Sequence, residues 1–156
     1  MENIMLNVGD IAPDFTGKDE NGEDVKLSDL LGQKVVLYFY PKDDTPGCTK
    51  EACSLRDNFS ALTAENIKVL GVSTDNEKSH QKFIAKYDLP FTLLADTDHA
   101  IADLYGSYGE KTFMGKTYNG VLRKTFLIAE NGTIKKIFDK VKVAEHADEV
   151  LQGFAE

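Results

Sequence analysis

Apolar residues along the chain repeat with two periods. After Lys34 comes an unbroken run of apolar β-formers, Val35-Val36-Leu37-Tyr38-Phe39-Tyr40, the pattern of a central strand covered on both faces. Ile67 to Ser73 and Phe91 to Ala95 read as further strands, and Arg123 to Ile128 and Thr133 to Phe138 as a hairpin around Glu130-Asn131-Gly132. Between them the spacing is helical. Cys48, Ala52, Leu55, Phe59 and Leu62 form one row at offsets of four, three, four and three, which predicts a helix from Pro46 to Thr63. Phe83, Ile84 and Tyr87 mark one side of a helix over Glu77 to Tyr87, and shorter helices are expected over Ala100 to Tyr105 and Ala144 to Gly153. Near the start, Asp19-Glu20-Asn21-Gly22-Glu23 is the turn of a small hairpin between Phe15-Thr16 and Val25-Lys26-Leu27. Ser28 to Gly32 reads as one capped helical turn closed by glycine.

The order is β-hairpin, β-α-β-α-β, β-hairpin, α. Strands alternating with helices imply parallel pairing through right-handed crossovers, and the last hairpin adds antiparallel strands. The expected fold class is α/β, a mixed central sheet with helices on both faces and an N-terminal β-hairpin. No repeat, linker or low-complexity stretch divides residues 1–156, so one domain is expected. In such sheets the carboxyl ends of the parallel strands carry the ligand site. Cys48 falls just beyond the end of the Val35–Tyr40 strand.

Composition narrows the function classes. Hydrophobic content of 42% against 28% charged argues for an ordinary globular protein rather than a disordered one. A formal charge of −8, with Arg56 and Arg123 the only arginines, argues against nucleic acid as a partner. Met1 to Asn7 has neither a basic stretch nor a long apolar one, so no signal peptide is expected. No apolar run approaches the roughly 20 residues a membrane helix needs. The expected location is cytoplasmic, where a cysteine pair is catalytic, redox-sensing or metal-binding rather than a lasting disulfide. For the same reason Asn131-Gly132-Thr133 reads as a hairpin turn, not a glycosylation acceptor.

The only two cysteines lie in Thr45-Pro46-Gly47-Cys48-Thr49-Lys50-Glu51-Ala52-Cys53. With Thr45 as N-cap and Pro46 at the first helical position, Cys48 occupies the first turn. There the Thr45 hydroxyl, the free N–H groups of Gly47 and Cys48 and the helix dipole all favour a thiolate. Cys48 is also on the apolar row, so the residues alone leave a buried core cysteine and a reactive thiolate both open. Cys53 shares a polar face with Thr49, Asp57 and Ser60 and is expected to be partly exposed, which packing explains poorly. On an intact helix five residues put the Cα atoms roughly 8.7 Å apart. A disulfide needs about 4.4–6.8 Å. Bonding between the two therefore requires the first helical turns to unwind.

Other chemistries fit less well. His80, His99 and His146 show no metal-ligand spacing, and two thiols alone seldom make a zinc site. The thioredoxin-type C-x-x-C motif is absent. Gly106 to Thr112 echoes a phosphate loop but has the wrong glycine spacing. Asp43 and Asp44 read as loop acids before a helix N-terminus. As a bare sequence feature Arg123 reads as a surface residue.

Pro41-Lys42-Asp43-Asp44-Thr45-Pro46-Gly47-Cys48 fits the P-x-x-x-T-x-x-C pattern of peroxiredoxins. With Cys53 five residues on, the chain resembles their bacterioferritin-comigratory-protein branch, also called the PrxQ type. The likeness extends over Gly9 to Phe15, Gly71 to Asp75, Phe91 to Asp96, Phe113 to Tyr118 and Arg123 to Ile128. It implies a thioredoxin-like fold and a cysteine-based peroxidase with no cofactor and no metal. It matches Cys48 to the peroxidatic cysteine and Cys53 to the resolving cysteine. Pro41, Thr45 and Arg123 match the rest of the family's active-site set, and Arg123 thereby becomes a thiolate-stabilising residue. The implied cycle runs from a Cys48 sulfenic acid to a Cys48–Cys53 disulfide that thioredoxin or a similar dithiol reduces. The implied substrates are hydrogen peroxide and organic hydroperoxides. A monomer is the default, a dimer the alternative. Two rivals use the same cysteines: a thiol switch that senses oxidation without turnover, and a general thiol–disulfide oxidoreductase.

Overall fold

The computed structural model describes residues 5–156. The first four residues of the Met1–Asn7 segment, read above for a leader, lie outside the described residues. In chain order the strands are β1 (Thr16–Lys18), β2 (Asp24–Lys26), β3 (Lys34–Phe39), β4 (Ile67–Ser73), β5 (Thr92–Ala95), β6 (Tyr108–Phe113), β7 (Lys116–Val121), β8 (Lys124–Ile128) and β9 (Ile134–Phe138). The helices are α1 (Pro46–Asp57), α2 (Phe59–Ala64), α3 (Glu77–Tyr87), α4 (Ala100–Leu104) and α5 (His146–Ala155).

The main sheet has five strands in the order β5-β4-β3-β8-β9. β3, β4 and β5 are parallel, while β8 and β9 join antiparallel, as the element order predicted. β3 is central because it can be buried on both sides. Val36, Tyr38 and Tyr40 enter one core with Ala52, Leu55, Leu62, Phe83 and Val150. Val35, Leu37 and Phe39 enter a second core with Phe15, Leu27, Ile101 and Tyr105. The first face thus carries α1, α2, α3 and α5. The second carries the short α4, a 3₁₀ turn at Leu27–Leu30 and the segment leading into β1. Among the described residues no helix is long and apolar enough to cross a membrane.

Four local expectations change. The predicted helix over Pro46 to Thr63 breaks at Asn58 (φ −114, ψ 17), whose side-chain amide donates back to the Ser54 carbonyl at 2.9 Å. Asparagine competes with the helical ladder in this way. The turn expected at Ser28 starts one residue earlier as 3₁₀ and has no side-chain cap, though Gly32 closes it at φ +96. The last helix begins at His146, after a 3₁₀ turn over Val143–Glu145. The antiparallel pair β6–β7 was not anticipated. Most of its positions are exposed, so no alternation marks it, and its Met114-Gly115 turn uses two left-handed residues (φ +52 and +78).

Candidate active site

The Tyr40 N–H still pairs with the Val72 carbonyl at the end of the sheet (3.0 Å), and the chain then loops into α1. Thr45 is extended (φ −99, ψ 156) and Pro46 takes the first helical position, as expected. The Thr49 N–H is accepted by the Thr45 carbonyl at 2.8 Å. The Gly47 and Cys48 N–H groups precede it, where a helix offers no acceptor. One expectation fails here. The Thr45 hydroxyl does not cap the helix but donates to the Lys42 carbonyl at 2.9 Å. Asp44, at φ +56, curls the loop so that this carbonyl comes within reach. Pro41 lies one residue beyond Tyr40, just past the end of β3, and is half-buried.

Cys48 is only 2% exposed and packs into the first core. Its sulfur also lies 3.1 Å from Nη2 of Arg123. The choice between core cysteine and reactive thiol therefore dissolves, because the site is dry and charged at once. Pairing of Phe39 with Lys124 in the β3–β8 register puts Arg123 beside the end of β3. This carries it to a cysteine 75 positions away, which no local pattern reports. Gly47 lies against the guanidinium, and a β-carbon there would make an ordinary contact with Arg123 Nη2 at 3.4 Å.

Sequence reasoning missed Glu51. It is fully buried, and its Oε1 accepts from Arg123 Nη1 at 2.5 Å. Arg123 is thus forked between a carboxyl and a sulfur. Burial pushes the Glu51 pKa up to about 7, and the guanidinium only partly offsets it. Among the described residues its Oε2 has no hydrogen-bond partner, and it faces Nε2 of the buried His146 at 3.5 Å. Burial holds the His146 pKa below the usual value, with Glu149 opposing. The partners assign a neutral ring: Nδ1–H donates to Glu149 Oε1 (3.0 Å) and Nε2 accepts from the Thr125 hydroxyl (2.9 Å). The available signal was a glutamate three residues after Cys48, flanking the apolar row. Lys111 of β6, also unanticipated, donates to the Val121 carbonyl at 2.8 Å. Burial and the charge of Arg123 lower its pKa, and Cys48 opposes them.

Cys53 is half-buried, as its polar face predicted. Both thiols are free and α1 is unbroken from Pro46 to Asp57.

Asp43, expected as a loop acid before the helix N-terminus, is tied into a buried network. It is buried, with Oδ1 accepting from Tyr40 (2.6 Å) and Oδ2 from Ser79 (2.8 Å) and His80 Nδ1 (2.7 Å). His80 Nε2 faces the Leu94 carbonyl at 2.9 Å. Both ring nitrogens thus meet acceptors, which assigns an imidazolium. Burial opposes that charge, but Asp43, the Leu94 carbonyl and Asp75 together outweigh it and the His80 pKa is raised. Asp43, Asp75 and His80 present possible metal-ligand atoms within 4.8 Å of one another. Those atoms are already engaged by protein groups: Asp75 Oδ2 takes the Ser73 hydroxyl (2.7 Å) and the Asp43 N–H (2.8 Å).

Comparison with known proteins shows the family. The AhpC/TSA family matches residues 8–137. Peroxiredoxin Bcp of Escherichia coli is 49% identical over 151 residues, 97% of each chain. The bacterioferritin comigratory protein of Xanthomonas campestris superposes with a TM-score of 0.85 at 37% identity, covering 90% of each chain. A Cys-to-Ser mutant of Xylella fastidiosa PrxQ superposes at 0.90 with 35% identity, covering 98% of this chain and 99% of its own. With a buried thiol at a helix start facing an arginine on a thioredoxin-like scaffold, the chain belongs to the AhpC/TSA family, among the peroxiredoxins of the bacterioferritin-comigratory-protein branch.

Proposed function

We propose that the protein is a thiol-dependent peroxidase in which Cys48 is the peroxidatic and Cys53 the resolving cysteine. The carrying observation is the Cys48 sulfur, dry, in the first turn of α1 and 3.1 Å from Arg123 Nη2. The Cys48 thiolate attacks one oxygen of R–O–O–H. An S–O bond forms, the O–O bond breaks, and RO⁻ leaves to take up a proton as alcohol, or as water when R is hydrogen. Arg123 and the Gly47 and Cys48 N–H groups stabilise the charge that develops, as preorganised donors in a water-poor site. Thr45, by bonding to Lys42, and Pro41 shape the loop that walls the sulfur. The resulting Cys48 sulfenic acid condenses with Cys53. The intact helix keeps the two cysteines apart, so its start unwinds first. A thioredoxin-like dithiol then reduces the disulfide by exchange.

The Xanthomonas relative is studied for alkyl peroxide reduction, which favours organic hydroperoxides among the substrates here. The reading takes the chain as one cytoplasmic domain, without metal or cofactor, acting as a monomer. The test is steady-state consumption of hydrogen peroxide with thioredoxin supplied. Many turnovers are expected, none in Cys48→Ser, and a single fast turnover followed by over-oxidation in Cys53→Ser. A halt after one equivalent in the unaltered protein would establish the sensor instead, and full activity of Cys48→Ser would sink the assignment.

A further inference from the structure

Helix α3 holds the cysteine segment at both of its flanks. Upstream, Ser79 and His80 bond the buried Asp43, which fixes that residue firmly. The next residue, Asp44, has left-handed backbone at φ +56, a region aspartate tolerates better than most side chains. Its carboxylate accepts the Tyr87 hydroxyl at 2.7 Å and the Lys86 ammonium at 2.8 Å. Downstream, Arg56 Nη1 donates to the Tyr87 carbonyl at 2.8 Å. Tyr87, the last residue of α3, thus ties residue 44 by its side chain and residue 56 by its backbone. Cys48 and Cys53 lie between the two ties.

We propose that Tyr87 is a positioning residue for the resolving step, fastening the ends of the Cys48–Cys53 segment to α3 and so setting how readily that segment unwinds. The inference rests on the peroxidase reading above. In the step concerned, the Cys53 sulfur attacks the Cys48 sulfur and an S–S bond forms. The S–O bond of the sulfenic acid breaks, and its hydroxide leaves as water with the proton that Cys53 gave up. Nothing in this chemistry needs Tyr87 near either sulfur. Its effect is on the approach of the two cysteines. The tie at Asp44 is exposed and individually weak, which suits a catch that must open in every cycle. The buried bonds of Asp43 mark where the opening stops.

Tyr87→Phe removes the hydroxyl alone. The ring keeps its edge-on packing against Phe83 (5.5 Å), and the carbonyl still accepts from Arg56. The full-length protein is mixed with hydrogen peroxide, quenched with a thiol-alkylating reagent and read by mass spectrometry. Formation of the sulfenic acid should keep its second-order rate. Formation of the disulfide should speed up about fivefold, the effect of one hydrogen bond of ordinary net strength. Over-oxidation to sulfinic acid should then need correspondingly more peroxide. Arg56→Met should act in the same direction, and the double variant should exceed either. An unchanged disulfide rate, or both steps slowing together, would overturn the inference while leaving the peroxidase intact. If the unaltered protein forms no Cys48–Cys53 disulfide at all, the parent reading falls and this one with it.

Discussion

The chemistry turns on one guanidinium that serves two partners. Arg123 reaches Cys48 with Nη2 and Glu51 with Nη1. A lysine is a single point charge and cannot bridge a sulfur and a carboxyl in one plane. We therefore expect Arg123→Lys to lower the rate of Cys48 oxidation roughly 10²–10³-fold, the usual effect of losing one preorganised donor. Rapid-mixing kinetics with hydrogen peroxide measures this, and circular dichroism checks that the fold is kept. A loss of less than tenfold would mean that the helix N–H groups carry the stabilisation alone. Cys48 and Cys53 were legible as residues because their surroundings in sequence are also their surroundings in space. Arg123 was legible only through the family resemblance and Glu51 not at all, because what they touch is decided by a sheet register and by burial.

Among the elements, α1 and β4 show how packing supports the site. Gly71 of β4 has no room for a side chain. A β-carbon there would lie 2.7 Å from Leu93 Cδ2 and 2.8 Å from Tyr38 Cζ. Tyr38 lies in the core behind the site; burial, then the charges of Glu51 and Cys48, raises its pKa. Gly71→Ala must therefore push Tyr38 or Leu93 aside and should destabilise the protein by about 1–3 kcal/mol, the ordinary effect of overpacking. Urea unfolding gives the value, and an unchanged midpoint would show that the Tyr38 ring and the Leu93 methyl shift freely. Element placement was largely readable from apolar period. The missed hairpin β6–β7 was unreadable for a physical reason: a two-stranded sheet exposed on most positions, with Phe113 66% and Met114 86% exposed, has no buried face to impose a period.

At the scale of the whole molecule, buried titratable groups tie stability to pH. Glu51 rises from 4.5 to about 7 on folding, so its contribution is full below 4.5 and fades as pH rises through 7. His80 is also raised, from 6.5, so its contribution is full below 6.5 and fades above it. His146 is lowered and works oppositely, contributing above 6.5 and losing that as pH falls. The first two dominate in number and direction, and stability should decline from pH 5 to pH 8. Glu51→Gln should remove part of that slope, up to about 3 kcal/mol at roughly 1.4 kcal/mol per pKa unit. His80→Gln should remove the part above pH 6.5. Denaturant unfolding across this range decides the matter, and a Glu51→Gln curve parallel to the unaltered one would show the carboxyl ionised throughout.

The sequence by itself determined the central strand, the helix that follows it, the turn at Asn131-Gly132 and the asymmetry of the two cysteines. Each of these is a local matter: side-chain period, a proline at a helix start, a thiol among free N–H groups. Only the tertiary structure decided that Arg123 meets Cys48, that Glu51 and His146 are buried behind it, and that Asp43 is locked to His80. Those contacts join residues as far apart in sequence as Glu51 and His146, and they exist because strand register and close packing place polar groups where water cannot reach them. A polar side chain in sequence carries no mark of whether it will be solvated or enclosed. Here enclosure converts a glutamate, two histidines and an arginine of unremarkable sequence context into the setting of the thiol.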